Sequence, residues 1–148
     1  MQCIFCQIIN GNIPSKKVFE DDKVLAILDI YPANIGHILL MPKKHYENFT
    51  DLEEELVSHI GIISSRLSLV MISNLKSDGV TAILKQSSGS PHCVMHLIPR
   101  KNDDKLNMNL QGKSISKEDI ENALTEIRKT TEKKEVSSEI LDNIGEIL

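Results

Sequence analysis

Apolar and polar positions change their period along the 148-residue chain, and each change marks an expected element. Residues 16–30, KKVFEDDKVLAILDI, hold two apolar runs broken by Asp21-Asp22, which predicts a β-hairpin lacking the glycine that usually marks one. Gly36-His37-Ile38-Leu39-Leu40-Met41 is a further apolar run, closed by Pro42, and reads as another strand of the same sheet. From Asp51 the spacing lengthens. Leu56, Ile60, Ile63, Leu67, Val70 and Asn74 step by three or four, and Glu53, Glu54 and Glu55 fall in the first turns, where the helix dipole favours negative charge. Val57, Ile62, Leu69 and Ile72 widen this long helix's apolar surface beyond one stripe, so a second cover is expected, either the tail or another subunit. VTAIL at 80–84 and CVMHLIP at 93–99 then predict two short strands around the polar segment Lys85 to Ser90. The pattern describes an α+β domain.

The core closes near Arg100, which divides the chain into a domain at 1–100 and an acidic helical extension at 101–148. In the extension, Ser116 and Asp119 form a capping box leading into Ile120, Ala123, Leu124 and Ile127, and Ile140, Leu141, Ile144, Ile147 and Leu148 suggest a second amphipathic helix. The formal charge is −4, of which the domain holds −1 (9 Lys/Arg, 10 Asp/Glu) and the extension −3 (8 against 11). Aromatic residues make up 3%, without Trp, and all lie within the first 49 positions. This balance removes the basic footprint and stacking surface of a polynucleotide binder, while leaving room for one small phosphorylated ligand. No stretch approaches the ~20 apolar residues of a membrane span, so no membrane partner is expected. The opening MQCIFCQII shows neither the basic region nor the cleavage site of a signal peptide, and a cytoplasmic location is expected. There the sequon Asn48-Phe49-Thr50 has no glycan to carry.

Three cysteines cannot close a disulfide framework, and in a reducing compartment Cys3 and Cys6 read as a metal or redox pair. Cys3-Ile4-Phe5-Cys6 has the spacing of a metal knuckle; a thioredoxin-like pair would instead follow a strand and open a helix. A tetrahedral zinc needs two more donors, available among His37, His45, His59, His92 and His96. On a strand, His92, Val94 and His96 share one face and Cys93, Met95 and Leu97 the other. His92 and His96 would stand about 13 Å apart, so at most one of them joins the cysteines. His59 reads as a helix histidine at an interface.

The segment CIFCQIINGNIPSKKVFEDDKVLAILDIYPANIGHILLMPKKHYENF resembles the opening of the histidine-triad (HIT) superfamily, especially its zinc-carrying branch, and HLIPR resembles that family's last active-site strand. The likeness covers residues 1–100. It implies a five-stranded antiparallel sheet with a long helix on it, in a homodimer built around that helix and the sheet edge. It also implies zinc held by Cys3, Cys6, His45 and His92. The implied ligand is a purine nucleoside or mononucleotide, with Asp29 on the sugar hydroxyls and Phe5, Ile8, Leu28 and Ile30 around the base. Family members read His-x-His-x-His, and the middle histidine attacks the α-phosphorus to give a nucleotidyl-histidine that water cleaves. Here the run is His92-Cys93-Val94-Met95-His96. Val94 takes the nucleophile's place without a lone pair, Cys93 points to the other face, and His96, the residual catalytic member, lies about 6–7 Å further on. The phosphate loop is short as well, although Ser87, Ser88 and Gly89 can form a small anion nest. The resulting expectation is a nucleoside- or nucleotide-binding protein with structural zinc and weak or absent hydrolase activity. An active nucleotide phosphoramidase or hydrolase is one alternative, and a non-enzymatic protein-interaction module is the other.

Overall fold

The apolar runs around Asp21-Asp22 form the expected hairpin in a computed structural model, which describes residues 3–85, 92–108 and 110–131. Strands β1 (Lys17–Glu20) and β2 (Val24–Leu28) pair antiparallel. Asp21 replaces the missing glycine by capping the turn itself, its Oδ1 accepting the amides of Lys23 (2.9 Å) and Val24 (2.8 Å). Strand β3 (Ile38–Pro42) follows a turn in which the His37 amide donates to Asn34 O at 3.0 Å. Gly36 sits in that turn at φ 90°, a conformation that calls for glycine, and a Cβ there would also press on the Leu75 side chain. Strands β4 (Gly79–Lys85) and β5 (Val94–Arg100) complete a five-stranded antiparallel sheet in the order β1-β2-β3-β5-β4.

Helix α2 (Glu54–Asn74) lays Leu56, Ile60, Ile63, Leu67 and Met71 on one face of this sheet. They join Val24, Ala26, Ile38, Leu40, Cys93 and Leu97 in one core. Met71 takes the buried place that the spacing assigned to Val70, and Val70 stays exposed with Ile62, Leu69 and Ile72. None of the described elements of the sheet covers these residues. By length and composition α2 is long and apolar enough to cross a membrane, with a mean hydropathy of 1.5, which corrects the expectation that no stretch comes close. Its inner stripe is committed to the sheet.

The alternate residues Leu25, Ile27, Leu39, Met41 and Val94 form a second cluster on the opposite face. Burial on both faces explains why VLAIL and ILLMP read as continuous apolar runs instead of alternating ones. The cover on this side is a helix that period reading missed. Helix α1 (Ile4–Ile9) packs Phe5, Ile8 and Ile9 on the cluster, and six residues are too few for a helical period to emerge.

The chain divides into two compact units, one through Asn107 and one from Met108. The first thus runs past the boundary expected at Arg100, because Asp104 ties the following loop back. Its carboxylate accepts from Arg100 Nε (2.7 Å) and Nη2 (3.0 Å), from Asn34 Nδ2 (2.9 Å) and from the Lys101 amide (3.0 Å). The Arg100 guanidinium, then these amides, hold its pKa well below the usual carboxylate range. In the second unit, helix α3 (Lys117–Thr131) opens with the expected capping box: Ser116 Oγ accepts the Asp119 amide at 3.0 Å and donates to Asp119 Oδ2 at 2.6 Å. Ile120, Leu124 and Ile127 on it are exposed. The helix expected around Ile140 to Leu148 lies outside the described residues.

Candidate functional site

The sheet face opposite α2 changes character along its strands. Leu25 pairs with Met41, Ile27 with Leu39, and Leu39 with His96. Counting on by two places Val94 beside Met41 and Asp29 beside His37, whose carbonyl accepts the Asp29 amide at 2.9 Å. The face therefore runs from His92, over an apolar patch, to Asp29, His37 and His96.

At the first end, Cys3 precedes α1, Cys6 lies within it, His45 follows β3 and His92 leads into β5. Their donor atoms all lie within 4.8 Å of one another. His92, fully buried, donates from Nε2 to Pro42 O at 2.7 Å, which leaves its Nδ1 lone pair facing the two sulfurs. That nitrogen is 3.6 Å from Cys3 Sγ and 3.7 Å from Cys6 Sγ, and His45 Nδ1 is 3.3 Å from Cys6 Sγ. A tetrahedral zinc, with bonds of ~2.3 Å to sulfur and ~2.0–2.1 Å to nitrogen, holds S and N ligands about 3.5 Å apart. The residues thus fit such an ion. Burial and then the adjacent Cys3 thiol push the Cys6 pKa up, so paired thiolates here call for a cation. Burial likewise pushes His92 down, keeping the imidazole neutral as a ligand must be.

At the other end the proton order is reversed. The Ala33 amide donates to His37 Nδ1 at 3.1 Å, so the ring proton of His37 sits on Nε2 and is donated to His96 Nδ1 at 3.0 Å. His96 then carries its own proton on Nε2. Burial lowers the His37 pKa, against the opposing charge of Asp29, whose Oδ2 stands 3.6 Å away. Asp29 Oδ1 accepts the Tyr31 amide at 2.9 Å.

Between the ends, Val94 is 3% exposed in the apolar cluster, and Cys93 is buried on the α2 side with its thiol pKa raised by burial and then by Asp51. The opposite orientation of these two neighbours is the one that period two requires.

Phe5 and Ile8, two of the residues expected around a base, pack on the apolar cluster of this face. Leu28 and Ile30 do not join them. Leu28 points to the α2 side, in an apolar groove with Val18, Ile38, Leu67 and Met71, and Ile30 is 81% exposed beyond the strand. Asp29 itself lies just past the end of β2, not within a strand. Ile27, two positions before Asp29, is the apolar residue on its face, and His37, two before Leu39, completes the cluster with His96. Alternation counted back from Asp29 and Leu39 would have found both. His59 is bound to the hairpin turn, its Nε2 2.7 Å from Asp21 Oδ2. Ser87 and Ser88 lie outside the described residues.

A twisted antiparallel sheet backed by one long helix, with a histidine-bearing strand facing a short N-terminal helix, is the architecture of histidine-triad proteins. The HIT domain matches residues 10–103, and the chain belongs to the HIT family. An uncharacterized HIT-like protein of Methanocaldococcus jannaschii is 42% identical over 107 residues, covering 69% of this chain and 81% of its own. A zinc-bound histidine triad family protein from Mycobacterium smegmatis superposes with a TM-score of 0.67 at 32% identity, covering 76% of this chain and 85% of its own. A histidine triad nucleotide-binding protein from Candida albicans does so with a TM-score of 0.77 at 25% identity, covering 89% and 99%.

Proposed function

We propose that this chain is a zinc-holding, cytoplasmic receptor for one purine nucleoside or mononucleotide, homodimeric, with little or no hydrolase activity. The observation that carries it is Val94, an isopropyl group packed among Leu25, Leu39 and Met41 where the family's attacking histidine stands. His96 does not replace that nucleophile. Its Nδ1 lone pair accepts the His37 proton and its Nε2 is protonated, so neither nitrogen offers an electron pair to phosphorus. Asp29 binds the sugar hydroxyls, and Phe5, Ile8 and Ile27 provide the apolar surface for the base. Zinc on Cys3, Cys6, His45 and His92 has four protein donors and serves structure. The zinc-bound mycobacterial relative and the nucleotide-binding Candida relative support these assignments. The exposed Ile62, Leu69, Val70 and Ile72 on α2 support a second copy as their cover.

The test is incubation with adenosine 5′-phosphoramidate, followed by AMP analysis and intact mass. No AMP above background and no nucleotidyl adduct are expected; an adduct restores the reading of an active hydrolase. AMP titrated calorimetrically should bind, and Asp29→Ala should weaken it about tenfold or more. The exposed Ile120, Leu124 and Ile127 stripe on α3 favours a second reading, a protein-interaction module. That reading takes precedence if millimolar AMP gives no heat and Asp29→Ala changes nothing.

A further inference from the structure

Helix α1 has little that holds it as a helix. It is six residues long, Cys3 at its N-cap makes no side-chain cap, no acidic residue stands in its first turn, and none of its residues is fully buried. Helices this short do not persist alone in water. Yet its Phe5, Ile8 and Ile9 close over Leu25, Ile27, Leu39, Met41 and Val94, the apolar floor beside Asp29 and His96. The metal-ligating group is divided between the same two bodies. Cys3 and Cys6 belong to α1 and its cap, while His45 and His92 flank strands β3 and β5 of the sheet. Phe5 joins them directly, its ring edge against the His92 ring at 6.0 Å between centroids.

We infer that the metal fastens α1 to the sheet and so builds the apolar wall of the ligand site, making metal and nucleoside bind cooperatively. This inference rests on the nucleoside-binding reading above. Without the ion no coordinate bond joins the four donors, and the apolar contact that holds α1 is only half-buried. A nucleoside arriving then has to order the wall itself, which lowers its affinity. Coupling of binding free energies is reciprocal, so the nucleoside must tighten the metal by the same factor.

The test compares the full chain loaded with zinc and stripped by chelator. Hydrogen exchange is followed at the amides of Gln7, Asn10 and Gly11, which donate to Cys3 O, Cys6 O and Ile8 O. Adenosine affinity is measured by calorimetry, and zinc affinity by competition with a chromophoric chelator, with and without adenosine. Stripping should speed exchange at these amides at least tenfold while β2 and β3 stay protected. It should also weaken adenosine about tenfold, and adenosine should tighten zinc by the same factor. Unchanged α1 exchange, or equal adenosine affinity with and without zinc, overturns the inference while leaving the functional reading intact. If the loaded protein binds no adenosine, the functional reading fails, and the exchange data alone decide whether the metal fastens α1. Should stripping also expose β2 and β3, zinc-loaded Phe5→Ala replaces it: adenosine and zinc affinities must both fall, and an unchanged zinc affinity overturns the coupling.

Discussion

Two histidine clusters share one face of one sheet, and they are prepared for opposite partners. In the first, a backbone carbonyl takes the His92 Nε2 proton, so the lone pair on Nδ1 points outward to two sulfurs. In the second, a backbone amide occupies His37 Nδ1, so what points outward is a proton, received by His96. Asp29, His37 and His96 also place donor atoms within 4.8 Å, but their lone pairs face an amide and a neighbouring ring, not a common point. Clustering of ligand-type residues therefore does not make a metal site by itself. The group bound to the other ring nitrogen decides it.

The largest effect should come from removing the first cluster. Cys3→Ser/Cys6→Ser should lose its zinc by elemental analysis and about 3 kcal/mol of unfolding free energy, measured with zinc near 100 times its dissociation constant. Full zinc content in this variant would sink the ligand set. Next is the boundary between the clusters. Val94→His forces a polar ring among Leu25, Leu39 and Met41 and should lower stability by about 2 kcal/mol in denaturant titration. Wild-type stability would mean that the cluster has room for an imidazole. The smallest effect should be the pH response of the second cluster. Burial holds the folded His37 below its free value of 6.5, so the unfolded chain takes up a proton that the folded chain refuses. Stability should be intact above about pH 6.5 and decline below it, by at most about 1.4 kcal/mol per pH unit for one such proton. His37→Gln should flatten that decline, and the difference between the two profiles isolates His37; identical profiles would show that it does not titrate differently on folding.

The elements with a long helical period or an apolar run bounded by polar turn residues were legible. The hairpin at Asp21-Asp22, the helix beginning after Asp51 and the strands at VTAIL and CVMHLIP all form, as does the Ser116 capping box. Helical period carries the helix, because burial of one face requires it, and the bounded apolar runs carry the strands. What escaped was short or lay at an element's end. Helix α1 has too few residues for a period, and Leu28, read as part of a nucleoside pocket, lies on the other face because alternation sends neighbours to opposite sides. Ile30 falls past the end of the β2 ladder, where alternation no longer assigns a side.

By itself, the sequence determined the sheet and its helix, the CxxC pair near the start of the chain, and a valine between His92 and His96. Those follow from residue type and local spacing, which survive in one dimension. Only the tertiary structure decided that α1 roofs the apolar patch, that Ile27 and His37 lie on the face of Asp29 and His96, and that Leu28 turns to the α2 side. It also decided which ring nitrogen of His37, His92 and His96 carries the proton. A tautomer is set by a hydrogen-bond partner brought close by folding, and Pro42 lies 50 positions from His92 in the chain but 2.7 Å from it in space.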